Sequence, residues 1–169
     1  MIFYPKGYFN KVSEITLEYI KENNIKGLIL DVDNTLIDYY KNLSDETINW
    51  VNNLKQNDIK MCILSNSNKK DKVKEVARRL EMEYIYFGMK PLKRGFKKVK
   101  KMLNLKSNEI AVVGDQIFTD IIGANRMKMY SILVDPIKEK DIWITLLKRP
   151  IENYIKEKLV KNKGYVKEK

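Results

Sequence analysis

Residues Leu28–Leu36 read Leu-Ile-Leu-Asp-Val-Asp-Asn-Thr-Leu, an apolar run that ends abruptly in two acidic residues and a threonine. An apolar run without polar alternation is typical of a strand covered on both faces, as in a parallel sheet flanked by helices. Ligands bind beyond the carboxyl ends of such strands, so Asp31 and Asp33 are expected to face a site that suits a hard cation such as Mg²⁺. The alternative is that Asp31, Asp33 and Asn34 merely form the turn that closes the strand.

The same strand pattern recurs downstream. Four further apolar runs are predicted as strands: Ile59–Leu64, Tyr84–Phe87, Ile110–Val113 and Tyr130–Val134. The segments between them carry apolar residues at helical spacing, which predicts helices. Alternating strands and helices predict an α/β fold, a three-layer, doubly wound, Rossmann-like parallel sheet of about five strands.

Three helical segments carry specific expectations. Phe9–Asn24 is predicted as one amphipathic helix that packs on the sheet. The helix after Pro91 is predicted to bury a stripe that begins at Leu92 and to expose a lysine-rich face. A basic amphipathic helix is predicted at about residues 150–162. Two interpretations of that last helix stay open, packing on the domain and lying on an anionic membrane surface.

Composition narrows the chemistry. The chain has 169 residues, 44% of them hydrophobic and 33% charged, which predicts one globular domain over residues 1–169. It contains no histidine, which excludes a Ser/His/Asp triad and a histidine-bound zinc ion. Its single cysteine, Cys62, lies in an apolar run and excludes an intrachain disulfide.

Charge and hydropathy bear on partners and location. The formal net charge of +11 could attract phosphates, nucleic acid or an anionic membrane, or could reflect a solvated lysine-rich surface. No apolar run approaches membrane-spanning length, and the first residues lack the hydrophobic segment of a signal peptide. The expected location is cytoplasmic, with peripheral contact at the inner membrane surface as an extension of that expectation.

Polar residues follow four consecutive predicted strands where each strand ends. They are Asp31 with Asp33, then Ser65, then Lys90, then Asp115 with Asp120. Turn formation explains one such ending but not four. Because the carboxyl ends of parallel strands meet at one edge of a sheet, these groups are expected to lie together.

These motifs, in this order, resemble the haloacid dehalogenase-like (HAD) superfamily of phosphohydrolases over roughly residues 25 to 135. The motifs are Asp31-Val32-Asp33-Asn34-Thr35-Leu36, Ile63-Leu64-Ser65, Lys90-Pro91, and Gly114-Asp115-Gln116 through Thr119-Asp120. Within the superfamily they are most similar to the YqeG-type, class IIIA phosphatases. That subgroup resembles the phosphatidylglycerophosphate phosphatases of mitochondria and plastids.

The resemblance implies a role for each motif residue. Asp31 is the implied nucleophile, which forms an aspartyl-phosphate, and Asp33 is the implied general acid and base. Ser65, Asn66 and Lys90 are the implied phosphate-binding residues.

The resemblance also implies the metal ligands and the residues that support them. The implied Mg²⁺ ligands are the Asp31 carboxylate, the backbone carbonyl of Asp33 and the Asp115 carboxylate. Thr35 braces the first loop. Asp120 either holds a water of the metal site or pairs with Lys90.

The length of sequence between the motifs bears on the kind of substrate. It leaves no room for a cap domain, so the site is expected to be open to a phosphate on a large body. An anionic phospholipid monophosphate at a membrane is the leading specific expectation, and nucleic acid is less favoured.

Other functions stay open at this stage. A basic RNA- or ribosome-associated module without turnover is the alternative from another class, although stacking aromatics are not interleaved with the lysines. Transfer to an acceptor other than water is equally compatible with the residues. The oligomeric state is left open.

Overall fold

Residues 2–137, which a computed structural model describes, form a parallel sheet of six strands between two layers of helices. The strands are β1 (Gly7–Phe9), β2 (Gly27–Leu30), β3 (Lys60–Leu64), β4 (Glu83–Ile85), β5 (Ile110–Gly114) and β6 (Tyr130–Val134). The α-helices are α1 (Leu17–Glu22), α2 (Asp45–Gln56), α3 (Lys70–Arg79), α4 (Lys93–Leu103) and α5 (Ile122–Arg126). Short 3₁₀ turns occupy Val12–Glu14 and Ser107–Glu109, and a π-helical turn occupies Ile117–Ile121.

The spatial order of the strands is β1-β6-β5-β2-β3-β4, which confirms the doubly wound α/β fold. From β2 the chain winds outward through β3 and β4, then crosses back to β5 and continues to β6. The winding therefore reverses between β2 and β5. A crevice opens at such a reversal, beyond the carboxyl ends of the strands.

Side chains of the central strand alternate between two hydrophobic cores. Leu28 and Leu30 face a core shared with α1, α2 and α3, whereas Ile29 faces a core shared with α4 and α5. All three are at most 1% exposed, as expected for a strand covered on both faces. The three predicted layers are thereby confirmed.

Hydroxyl caps fix where two of the helices begin. Ser44 Oγ accepts a hydrogen bond from the backbone N of Thr47 at 3.1 Å, at the start of α2. Thr16 Oγ1 accepts one from the backbone N of Tyr19 at 3.2 Å, at the start of α1. Such caps satisfy backbone N–H groups that have no partner within the helix.

The prediction of one helix over Phe9–Asn24 is wrong. Phe9 ends β1, and the cap at Thr16 delays α1 until Leu17. β1 is also the strand that the sequence analysis did not predict, since its residues pair with β6 far along the chain, from Gly7 with Ile132 onward. Three apolar residues in this stretch are nevertheless buried: Val12, Ile15 and Ile20.

Two boundaries near the fourth strand also differ from the prediction. β4 ends at Ile85 rather than at Phe87. Leu92 is 51% exposed at the start of α4, so it is not part of the buried stripe that Phe96, Val99 and Leu103 form. Leu92 immediately precedes α4 and so lies outside its first turn.

The connections between strands are short. A loop and α2 separate β2 from β3, and a short loop and α3 separate β3 from β4, so residues 2–137 contain no cap domain. No helix within that range is long and apolar enough to cross a bilayer. The helix predicted at about 150–162, and with it the end of the predicted domain 1–169, lies outside the described residues.

Candidate active site

The polar residues predicted to converge lie at one edge of the sheet, at the point where the winding reverses. Asp31 directly follows β2, Ser65 follows β3 and Asp115 follows β5. The backbone N of Asp31 donates to the carbonyl oxygen of Val113 at 3.0 Å, so the ladder between β2 and β5 extends to the first aspartate. Lys90 reaches this edge from the loop between β4 and α4.

Lys90 joins two of the aspartates. Its Nζ lies 2.6 Å from Asp31 Oδ1 and 2.7 Å from Asp120 Oδ1. The three side chains are nearly inaccessible, with 2% of Lys90, 9% of Asp31 and 1% of Asp120 exposed. Charges in such surroundings are tolerated only when they are paired, and the ammonium provides that pairing.

Three carboxylates crowd this ammonium. Asp31, Asp115 and Asp120 each present an oxygen atom, and these atoms all lie within 4.8 Å of one another. One lysine does not balance three carboxylates, so the cluster retains an excess of negative charge. Oxygen ligands with excess negative charge are the donor set that hard divalent cations prefer, and the residues therefore fit Mg²⁺.

The pKa shifts have two opposing causes. Burial raises the pKa of Asp31 to about 6; Lys90 opposes the rise and Asp120 adds to it. Burial and the neighbouring Asp31 and Asp120 carboxylates raise the pKa of Asp115 well above its usual value. Burial alone would lower the pKa of Lys90, but the Asp120 and Asp31 carboxylates outweigh it, and the pKa is raised. The lysine is therefore firmly cationic.

The residues around Asp115 and Asp120 determine how the acids are held. Asp120 Oδ2 accepts a hydrogen bond from the backbone N of Gln116 at 3.2 Å. A Cβ at Gly114 would lie 2.3 Å from that same oxygen, so only glycine permits Asp120 to approach β5 this closely. Thr35 Oγ1 lies 3.4 Å from Asp115 Oδ1, a long hydrogen bond that links the first loop to the last motif.

Ser65 and Asn66 tie neighbouring loops together. Ser65 is 1% exposed, and its Oγ accepts a hydrogen bond from the backbone N of Ser67 at 3.1 Å. The Asn66 side chain forms two hydrogen bonds with the backbone of Lys90, donating to its carbonyl at 2.9 Å and accepting from its N–H at 2.6 Å. Asn66 therefore holds the loop that carries Lys90.

Asp33 stands apart from the three-carboxylate group. Its carboxylate forms an ion pair with Lys72 of α3, and 45% of the Asp33 side chain is exposed. Nearly half of the Asp33 side chain is therefore accessible to solvent. The expectation that its backbone carbonyl binds the metal concerns a different atom and stays a prediction.

Sequence analysis missed two contacts of this site. Nothing in the sequence distinguishes Lys72 from the neighbouring Lys69, Lys70 and Lys74. The hydrogen bonds between Asn66 and the backbone of Lys90 were also missed, because they join residues that are close only in the folded chain.

Two solved structures share the fold. An uncharacterized protein from Listeria monocytogenes serotype 4b superposes with a TM-score of 0.57 at 20% identity, covering 70% of this chain and 85% of that chain. An uncharacterized protein from Corynebacterium glutamicum superposes with a TM-score of 0.52 at 17% identity, covering 78% of this chain and 93% of that chain. At these identities the likeness supports the architecture alone.

Sequence comparison identifies the family. The family model described as mitochondrial PGP phosphatase matches residues 1–138. The probable phosphatase YqeG of Bacillus subtilis (strain 168) is 36% identical over 165 residues, which cover 97% of this chain and 95% of that protein. Together with the fold and the acidic cluster, these matches confirm the predicted resemblance: the chain belongs to the mitochondrial PGP phosphatase family and is a phosphatase of the HAD type.

Proposed function

We propose that this phosphatase is a Mg²⁺-dependent phosphomonoester hydrolase that works through an aspartyl-phosphate on Asp31, with phosphatidylglycerophosphate as substrate. One observation carries the catalytic part: three carboxylate oxygens lie within 4.8 Å of one another around a buried lysine, where the winding of the sheet reverses. Such a place suits both a cation and a phosphate, because the carboxylates attract the cation and the lysine attracts the phosphate.

In the first half-reaction the free oxygen of the Asp31 carboxylate attacks phosphorus in line with the ester oxygen. The new bond joins that oxygen to phosphorus, and the bond from phosphorus to the leaving alcohol breaks. Asp33 gives its proton to the departing alkoxide. Lys90 already holds Asp31 Oδ1 at 2.6 Å, which fixes the orientation of the nucleophile.

In the second half-reaction water attacks the phosphorus of the aspartyl-phosphate, and Asp33 takes up the proton of that water. The bond from phosphorus to the Asp31 oxygen breaks, so inorganic phosphate leaves and both aspartates return to their starting states. The partly exposed position of Asp33, beside Lys72, suits a group that must meet solvent in this step.

Positive charge and hydrogen-bond donors stabilise the transferring phosphoryl group. Lys90 and Ser65 are the side chains assigned to it, and Asn66 positions Lys90 through its backbone. Asp31 and Asp115, with Asp120 beside them, are the carboxylates assigned to Mg²⁺. Bound Mg²⁺ supplies charge that offsets the repulsion between the anionic nucleophile and the phosphate.

Three features support a large lipid substrate. Residues 2–137 contain no cap domain, so the phosphate of a bulky molecule can reach Asp31. The family is described by its action on PGP, which is phosphatidylglycerophosphate. A net charge of +11 favours such an anionic substrate and peripheral contact with an anionic membrane, to which the basic segment at about 150–162 would contribute.

The test is phosphate release, with and without Mg²⁺, from an aryl phosphate, phosphatidylglycerophosphate, phosphoproteins, nucleotides and sugar phosphates. We expect Mg²⁺-dependent release, fastest from the lipid, and a phosphoryl adduct on the peptide that contains Asp31. Asp31→Asn should lower the rate at least about a thousandfold while the fold is retained, because the nucleophile is removed.

Asp38→Asn is the matched control. Asp38 is also a buried aspartate of the loop after β2, but its carboxylate accepts hydrogen bonds from Asn42 at 2.9 and 3.0 Å, away from the three-carboxylate group. Activity should survive in this control. Wild-type rates in Asp31→Asn would refute the mechanism. Absence of release from every substrate, together with salt-dependent retention on RNA, would favour the binding-module alternative.

A further inference from the structure

The loop between β4 and α4, residues 86–92, exposes apolar side chains beside the active site. The exposed fractions are 39% for Tyr86, 57% for Phe87, 37% for Met89 and 51% for Leu92. Lys90 lies in the same loop but points inward, with 2% of its side chain exposed. One short loop therefore presents a buried cation to the site and a row of apolar groups to the surroundings.

The backbone of this loop adopts a conformation that such residues rarely take. Phe87 has φ 50° and Met89 has φ 52°, both in the left-handed region, which favours glycine and asparagine. Gly88 between them is buried, and a Cβ there would lie 2.5 Å from Leu64 Cδ1. Asparagine at positions 87 and 89 would suit this backbone conformation better. We infer that Phe87 and Met89 are present for what their side chains contact.

Hydrogen bonds hold these side chains at a fixed position relative to the site. The backbone N of Phe87 donates to the carbonyl of Ser67 at 2.9 Å, and that of Gly88 donates to the carbonyl of Ser65 at 2.8 Å. Asn66 holds the backbone of Lys90 from the same loop. The exposed apolar groups are thus anchored to the loop that carries the assigned phosphate-binding residues.

Basic groups surround the apolar ones. Lys70 Nζ lies 5.7 Å from the centre of the Tyr86 ring, and Arg126 Nη1 donates to the carbonyl of Pro91 at 3.3 Å. Lys93 and Arg94 are exposed at the start of α4. Apolar side chains flanked by exposed cations are typical of surfaces that enter the interface of an anionic bilayer.

We propose that residues 86–92 form a docking surface for an anionic lipid bilayer. Phe87, Met89 and Leu92 enter the interface, and the surrounding Lys70, Lys93 and Arg94 contact lipid phosphates. Docking on this loop brings the open site to the bilayer surface, so a lipid phosphate reaches Asp31 without leaving the membrane. The inference rests on the proposed function in that the substrate is a membrane lipid, and it assigns the membrane contact to residues 86–92.

The experiment measures cosedimentation of the full chain with phosphatidylcholine vesicles, with and without phosphatidylglycerol. Phosphatidylglycerol carries no phosphomonoester, so binding is measured without turnover. The variant is Phe87→Asn with Met89→Asn, in which asparagine keeps the left-handed backbone and removes the apolar groups. We expect wild-type binding that depends on phosphatidylglycerol, and binding at least about tenfold weaker in the double variant.

Met102→Gln is the matched control. Met102 is also an apolar residue of this region of the chain, 41% exposed, but it lies at the far end of α4, near the amino ends of the strands. Its substitution should leave vesicle binding unchanged. Hydrolysis of a soluble aryl phosphate should also stay within about twofold of wild type in the double variant, because the two exposed side chains are not among the groups assigned to catalysis, phosphate or metal, and asparagine keeps the loop backbone.

Three binding results would overturn the inference: undiminished vesicle binding in the double variant, equal loss in Met102→Gln, or retention on RNA that falls in the double variant while vesicle binding does not. Loss of soluble-ester hydrolysis in the double variant would also overturn it, since the loop would then serve the site itself. Failure of docking with aryl phosphate hydrolysis intact refutes this surface and leaves the catalytic proposal standing.

Discussion

Lys90 and Lys72 each pair with an aspartate of the same short segment, but in very different surroundings. Lys90 pairs with Asp31 where the two side chains are 2% and 9% exposed. Lys72 pairs with Asp33 where the corresponding values are 13% and 45%. The two aspartates are two residues apart in sequence, yet one pair is closed off from solvent and the other is partly exposed to it.

This difference matches the two kinds of chemistry proposed for the aspartates. A nucleophile benefits from a fixed position. The buried ion pair between Asp31 and Lys90 provides it, because Lys90 Nζ is itself held by Asp120 Oδ1 at 2.7 Å. A group that exchanges protons with a leaving group and with water must be accessible. Breaking a buried pair costs about 3–5 kcal/mol, whereas an exposed pair contributes about 0–1 kcal/mol. Removing each lysine in turn therefore tests the comparison.

The largest effect is expected from Lys90→Met. The substitution leaves the Asp31 and Asp120 carboxylates buried without their partner, so the free energy of unfolding should fall by about 3–5 kcal/mol. Hydrolysis of an aryl phosphate should fall at least about a hundredfold, because the lysine also serves the phosphoryl group. Urea unfolding and initial rates measure the two effects.

Lys97→Met is the control for Lys90→Met, since it removes the same charge from an exposed position on α4. Its free energy of unfolding should stay within about 0.5 kcal/mol of wild type. Equal stability of the two variants would contradict the view that the buried pair holds the site together.

An intermediate effect is expected from Mg²⁺ and Asp115→Asn. Mg²⁺ should raise the free energy of unfolding of the wild type by about 2.7 kcal/mol at a hundredfold excess over Kd. Without Mg²⁺, Asp115→Asn should be more stable than the wild type, because it removes one of three crowded carboxylates. Thermal unfolding with and without Mg²⁺ measures both effects.

Asp38→Asn again serves as the control, and it should retain the full stabilisation by Mg²⁺. An undiminished Mg²⁺ effect in Asp115→Asn would remove this residue from the assigned metal ligands. The charge of Lys90 is a permanent part of the protein. Mg²⁺ exchanges with solvent, so its contribution to the free energy of unfolding depends on the Mg²⁺ concentration.

The same contrast between buried and exposed residues explains what the sequence could predict. The strand before Asp31 was recognised because burial on both faces leaves an apolar run, and the aspartates stood out at its end. The convergence of Ser65, Lys90 and Asp115 followed from parallel topology alone. These features are encoded locally, or by a rule that applies to every sheet of this class.

Features that depend on distant partners were missed. β1 is only three residues long, and it exists as a strand because it pairs with β6 at Gly7 and Ile132. The contact between Lys72 and Asp33 joins a helix surface to a loop, and one lysine among several gives no sign of it. The left-handed conformation at Phe87 contradicts local preference, so local preference could not predict it.

The smallest effect, and the one that sharpens the comparison most, is expected from Lys72→Met. The free energy of unfolding should change by less than about 1 kcal/mol, because the Asp33 side chain is 45% exposed and water can replace the lysine. If Lys72 positions Asp33 for proton transfer, kcat should fall about tenfold with KM unchanged, and Lys72→Arg should restore most of the loss. Lys74→Met, a change of the same charge at an exposed position on α3, should alter neither parameter. A rise in KM with unchanged kcat would instead assign Lys72 to substrate binding. Lys72 and Lys90 would then both contact the phosphate, and the contrast between a fixed nucleophile and an accessible acid would not hold.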